Sequence, residues 1–178
     1  MDQDKLEALL AQADALYADA QLVEALGVYE SILAADETNA WAHNRRGAIL
    51  AQIDRSDEAE AALKRAIELD PNLAAAHSNL GNIFYSRGDY SGALDKYKQA
   101  LDLDGDNPVF HENLHAAYKK LGRVSEAVGH LKRSYTLRKE RDKAEAKERF
   151  QTIKKKTGCL GTAVVIITVI VTGSLILF

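Results

Sequence analysis

The chain has 178 residues, 47% of them hydrophobic and 28% charged, which is the range of ordinary globular proteins and long enough for one domain and an additional segment. A single cysteine, Cys159, excludes an intramolecular disulfide, and two prolines among abundant Ala, Leu, Glu and Lys favour helix. The net charge of −3 conceals two unlike regions: residues 1–106 hold 9 Lys/Arg against 20 Asp/Glu, a balance of −11, whereas residues 119–156 hold 14 against 5, a balance of +9.

The N-terminal stretch MDQDKLEALLAQADALYADAQ is acidic and amphipathic, without the basic start and apolar run of a signal peptide. From residue 6 the chain repeats itself every 34 positions, over 6–39, 40–73, 74–107 and 108–141, with no insertion. Ala25, Ala59, Ala93 and Ala127 share one column; Tyr29, Leu63, Tyr97 and Leu131 share a second; Ile32, Ala66, Ala100 and Ser134 share a third. Ala13, Gly47 and Gly81 form a small-residue column that His115 occupies in the last block. Each block holds two apolar-periodic runs, such as 40–53 and 57–69, and so predicts a helix, a turn and a second helix. Asp57, Ser91 and Ser125 are placed to cap the second helices, and Asn107 followed by Pro108 to open the first helix of block four. A single hairpin cannot bury its apolar face alone, so neighbouring hairpins must stack.

The stretch AHSNLGNIFYSRGDYSGALDKYKQALDLD at 76–104 and ELDPN at 68–72 resemble the tetratricopeptide repeat family, and the likeness extends over 6–141. Gln12, where a large apolar residue is usual, and His115 depart from it. The resemblance implies an all-α, right-handed superhelix of four repeats whose concave groove binds a protein or peptide partner. By the same resemblance the groove residues are Leu10, Asp14, Tyr17, Trp41, Asn44, Ser78, Asn82, Tyr85, Val109, Glu112 and Lys119. Tyr17, Trp41 and Tyr85 are the amphipathic aromatic anchors among them. Members that grip the C-terminal carboxylate of chaperones use Lys and Asn, then Asn, then Lys and Arg. Here those places fall on Leu10, Asp14, Arg45, Ala75 and Asn79, or in the next frame on Asn44, Ala48, Asn79, Val109 and Asn113, so a clamp of that kind is not expected.

Residues 142–157, DKAEAKERFQTIKKKT, read as a basic helix that caps the last repeat or serves as a stalk. From Cys159 to Phe178 no charged residue occurs, and a helix of that length spans about 30 Å, the thickness of a bilayer's hydrocarbon core. Lys154, Lys155 and Lys156 flank it on the side that positive charge keeps cytoplasmic. The expectation is a single-pass membrane protein, tail-anchored at its C-terminus in a lipid bilayer, with the repeats facing the cytoplasm.

HENLH at 111–115 matches the zinc-protease pattern, with His111 and His115 one helical turn apart and Glu112 as base. His43, His77 and His111 also recur at 34, however, which makes His111 a repeat residue, and no third ligand follows. No Gly-rich phosphate loop, G-x-S-x-G or Cys cluster is present, and the basic stretch lacks interleaved aromatics for stacking bases. The sequence therefore predicts a membrane-anchored adaptor or scaffold and not an enzyme, with no cofactor, no metal and no nucleic acid. Its partner would be a protein or peptide with basic segments, drawn by the acidic repeats. The alternatives are a self-assembling scaffold and, far behind, a zinc hydrolase.

Overall fold

The computed structural model describes the backbone of residues 3–171 and the side chains of residues 3–155. Eight helices run in order among the described residues: α1 (Gln3–Ala18), α2 (Leu22–Ala35), α3 (Ala40–Gln52), α4 (Ser56–Leu69), α5 (Ala74–Ser86), α6 (Tyr90–Leu103), α7 (Pro108–Lys120) and α8 (Val124–Val171). Two compact units result, Met1–Ser134 and Tyr135–Phe178. In the first unit α1 packs on α2, α3 on α4 and α5 on α6, and the hairpins join through α2–α3, α4–α5 and α6–α7. The first helices also touch one another, α3 with α5 and α5 with α7, and so line the inner side of the stack. This is the all-helical superhelix that the repeats predict.

The turn within each hairpin repeats to the residue. Ala20, Asp54, Gly88 and Gly122, 34 apart, each adopt a positive φ of 59°, 62°, 82° and 73°. The following amide reaches back to the carbonyl five residues earlier, as in Arg55 N to Leu50 O and Asp89 N to Phe84 O, both at 2.9 Å. This left-handed position suits Gly88 and Gly122; Ala20 and Asp54 occupy it at a conformational cost. Helix starts are capped where the sequence offers a free oxygen: Asn39 accepts from Ala42 N, and Asn107 accepts from Val109 N ahead of Pro108. For α6 the capping residue is Asp89, accepting from Gly92 N, and not Ser91. Helix α4 begins at Ser56 after Arg55 with no side-chain cap. The second helices therefore start earlier than their polar residues suggest, because the tight left-handed turn leads straight into the helix.

The small-residue column sets the spacing within hairpins. A Cβ on Gly47 would lie 2.7 Å from Leu63 Cγ, and one on Gly81 would lie 2.6 Å from Tyr97 Cε1. Tyr29, Leu63 and Tyr97 are thereby drawn into the core at 0%, 0% and 2% exposure. The hydroxyl that each Tyr carries inward needs an acceptor. Tyr29 donates to Asp14 Oδ1 at 2.5 Å and Tyr97 to Asn82 Oδ1 at 2.8 Å, each fifteen positions back. Burial, and for Tyr29 also the bond to Asp14, raises both phenol pKa values above the ordinary range. Where the column holds Leu63 the facing residue is Ala48.

The membrane-spanning helix expected over 159–178 is corrected: among the described residues no helix is long and apolar enough to cross a membrane. Residues up to Lys156 in α8 carry the charges of the basic segment. Residues 172–178 lie outside the described residues. The single-pass localisation, the C-terminal anchor and the cytoplasmic orientation inferred from Lys154, Lys155 and Lys156 fall with that span. Residues 142–157 do not form a separate helix either, since α8 continues through them and on through Gly158 and Gly161.

Replacing Gly81 by Ala should cost about 1–3 kcal/mol, since the added methyl meets the Tyr97 ring. Gly129→Ala in α8, where a Cβ meets nothing within 4 Å, should gain up to about 1 kcal/mol from helix propensity. Urea unfolding of the two variants measures both.

Candidate functional site: the inner groove

Three clefts line up along the inner side. The first, about 370 Å³, is lined by Tyr17, Gln52, Asn79, Asn82 and Ser86 among others. The second, about 320 Å³, shares Asn82 and adds Tyr85, Asn113 and Ala116. The third, about 430 Å³, shares Tyr85 and Ala116 and adds His115, Lys119 and Lys120. Shared walls make them one groove running from α1 to α7, with a floor of carboxamides, Tyr17 at one end and Tyr85 between the second and third clefts.

The residues named from the sequence divide into two groups. Tyr17 lines the first cleft and Tyr85 the other two, while Trp41, 38% exposed, and Val109, 47% exposed, face solvent. Lys119 is exposed at the far end, and Leu10 is half-buried against the core. The others already hold structural bonds. Asn44 is 2% exposed and its Oδ1 accepts from Asn79 at 2.9 Å; one repeat later, Ser78 Oγ accepts from Asn113 at 3.0 Å. These two equivalent bonds tie α3 to α5 and α5 to α7. Asp14 and Asn82 accept from Tyr29 and Tyr97, although Asn82 stays exposed in the groove. Glu112 accepts from Ser134 Oγ at 2.7 Å.

Gln52 lines the groove although the resemblance did not single it out, and so do Asn79 and Asn113, which it placed at carboxylate-clamp positions only. A periodicity signal was present, since Asn79 and Asn113 are 34 apart. At the α1–α3 end a compact cluster forms. The Arg45 guanidinium lies 4.4 Å from the Trp41 ring centre and 5.5 Å from that of Tyr17. Its Nε lies 3.3 Å from Asp14 Oδ1, and Gln52 donates to the Tyr17 hydroxyl at 2.5 Å. The stack holds both aromatic rings in place before any partner arrives.

HENLH is held by the fold. His43, His77 and His111 each bring Nε2 to a carbonyl six residues back, Glu37 at 2.9 Å, Pro71 at 2.9 Å and Gly105 at 3.3 Å, and so fasten the turns between hairpins. His111 Nδ1 meets His130 Nδ1 at 2.8 Å, and His115 Nδ1 donates to Ala127 O at 2.9 Å. Both imidazoles of the signature and Glu112 are thus engaged with α8 or the adjoining loop. Among the described residues no group of three or more His, Cys, Asp or Glu is placed to hold a metal ion.

A family profile described as TPR repeat matches residues 81–122, and two described as tetratricopeptide repeat match 40–73 and 111–145. No curated protein sequence matches the chain. Among solved structures, MamA superposes with a TM-score of 0.67 at 25% identity over 80% of this chain and 83% of that one. The first TPR of Spaghetti (RPAP3), bound to the HSP90 peptide SRMEEVD, gives 0.63 at 20% identity over 68% of this chain and 97% of that one. A mutant O-GlcNAc transferase from Thermobaculum terrenum gives 0.63 at 25%, over 66% of this chain but only 23% of the transferase.

Burial, and for His130 the neighbouring His111, depress the pKa of both His111 and His130 below 6.5. Both rings are neutral in the folded chain at pH values where the unfolded chain has begun to take up protons. The associated stability is complete above about pH 6.5 and is lost as pH falls through the lowered folded values. Urea midpoints measured from pH 7.5 to pH 5 should decline, and His130→Gln should flatten that decline.

Proposed function

We propose that these tetratricopeptide repeats act as a scaffold that holds an extended segment of a protein partner along the inner groove. The observation that carries this reading is the continuous line of Tyr17, Gln52, Asn79, Asn82, Tyr85 and Asn113, shared among three adjoining clefts. Carboxamides offer a donor and an acceptor each and can pair with a peptide backbone whatever its side chains. The Tyr17 and Tyr85 rings supply buried area at low entropic cost, as interface hot spots do. The fold accommodates such a ligand elsewhere: the first TPR of Spaghetti carries a bound HSP90 peptide.

The partner segment is basic. Residues 1–106, which build three of the four hairpins, carry a balance of −11 and attract cationic chains at low ionic strength. A chaperone carboxylate tail is disfavoured, because Leu10, Ala75 and Asn79 in one frame, or Asn44, Ala48 and Val109 in the other, stand where its cations and amides would be needed. The groove is suited to recognition: its carboxamides offer hydrogen bonds and its rings offer apolar contact area.

The full-length chain and a Tyr17→Ala/Trp41→Ala/Tyr85→Ala variant, used as baits against the same extract, should recover different proteins. Partners held in the groove should drop by at least about tenfold on the variant, given roughly 1–2 kcal/mol for each aromatic anchor. Equal recovery by both baits removes the groove as the binding site.

A further inference from the structure

The two ends of the hairpin stack differ from its interior in the same columns. Tyr29, Leu63 and Tyr97 are closed off at 0–2% exposure, yet Leu131, in the hairpin whose small site His115 fills, is 48% exposed. Leu26 and Leu94 are buried at 6% and 5% and Glu60 between them is half-buried, while Val128 in their column is 42% exposed. With Val124 at 65%, these residues form an apolar stripe at spacings of four and three on one face of α8, within the first unit.

The N-terminal end shows the reverse. Ala42, Ala76 and Phe110 are buried in α3, α5 and α7, as are Ile49, Ile83 and Ala117. Their counterparts in α1, Ala8 and Ala15, are exposed, and so is Gln12 in the column of half-buried Arg46 and buried Leu80 and Leu114. Every interior hairpin thus covers one such face and is covered on another. The interior hairpins join through α2–α3, α4–α5 and α6–α7, and the corresponding sides of α8 and α1 stand open at the two ends of the stack.

Charge selects the occupant. Residues 1–39 carry nine Asp/Glu against one Lys, and residues 119–134 carry five Lys/Arg against one Glu. We infer that α1 of one copy docks on the Val124, Val128 and Leu131 face of a second copy, continuing the hairpin stack head to tail. A fold-back of the chain's own 142–155 segment would bring like charge together, since that segment holds Lys143, Lys147, Arg149, Lys154 and Lys155 against Asp142, Glu145 and Glu148. The small side chains of Ala8 and Ala15 allow α1 a close approach. Because the two surfaces are different, the contact does not close on itself and copies add in line. The peptide grooves of successive copies would then run on from one another.

Sedimentation of the full-length chain tests this. The average mass should rise with concentration from micromolar upward, without a plateau at dimer, and the rise should weaken as ionic strength screens the opposed ends. Leu131→Glu and Ala15→Arg alter exposed side chains and should leave the circular dichroism unchanged. Each variant alone should stay monomeric, and an equal mixture should associate again, because the first retains a native head and the second a native tail. Three results would overturn the inference: a wild-type chain monomeric throughout, association that survives Leu131→Glu and is therefore driven elsewhere, or Ala15→Arg associating normally, which would mean a two-fold contact between α8 faces.

Discussion

Everything in the first unit follows from how closely the two helices of a hairpin approach one another. Gly47 and Gly81 leave no room for a methyl against Leu63 and Tyr97, so the large side chain of the second helix sits directly on the backbone of the first. That contact fixes the hairpin's width, and the width fixes which side chains can meet the next hairpin. It also explains an alternation along the chain: where the large residue is Tyr29 or Tyr97, the first helix supplies Asp14 or Asn82 for its hydroxyl, and where it is Leu63 it supplies Ala48. In the last hairpin His115 fills the small site, bonded to Ala127 O, and Leu131 stands outward.

The stack is further held by polar bonds that recur with the repeat. The His column fastens each inter-hairpin turn through a carbonyl six residues back. The Asn79–Asn44 and Asn113–Ser78 pairs cross from one hairpin to the next beside the groove. These bonds satisfy groups that burial would otherwise leave unpaired, at a cost of about 1–3 kcal/mol each. They also set the groove's spacing, because the residues that make them stand next to those that face a ligand.

The repeat, the helix count within it and the structural standing of His111 were legible in the sequence, because a 34-residue period forces equivalent residues into equivalent places. Much of the groove was not. Asn44, Ser78, Asp14 and Asn82 sit in columns that face a ligand in related repeats, but here a partner within the chain takes their hydrogen bonds, and a single sequence does not reveal which of two polar neighbours turns inward. Asp89 as the cap of α6 was hidden because the left-handed residue before it is set by turn geometry, not by any polar signal. The uncharged run from Cys159 to Phe178 has the length of a membrane span in the sequence, yet among the described residues no helix is long and apolar enough to cross a membrane.

The claim on which the functional account rests is that ligand contact occurs along the line from Tyr17 to Asn113. Site-specific photocrosslinking measures this directly, with a photoreactive side chain placed in the full-length chain at Asn82 or Asn113 in the groove, or at Ala61 or Lys98 on the exposed surface of α4 and α6. The account predicts crosslinks to one basic partner segment from Asn82 and Asn113 and none from Ala61 and Lys98. Crosslinks from α4 and α6 with a silent groove would contradict it.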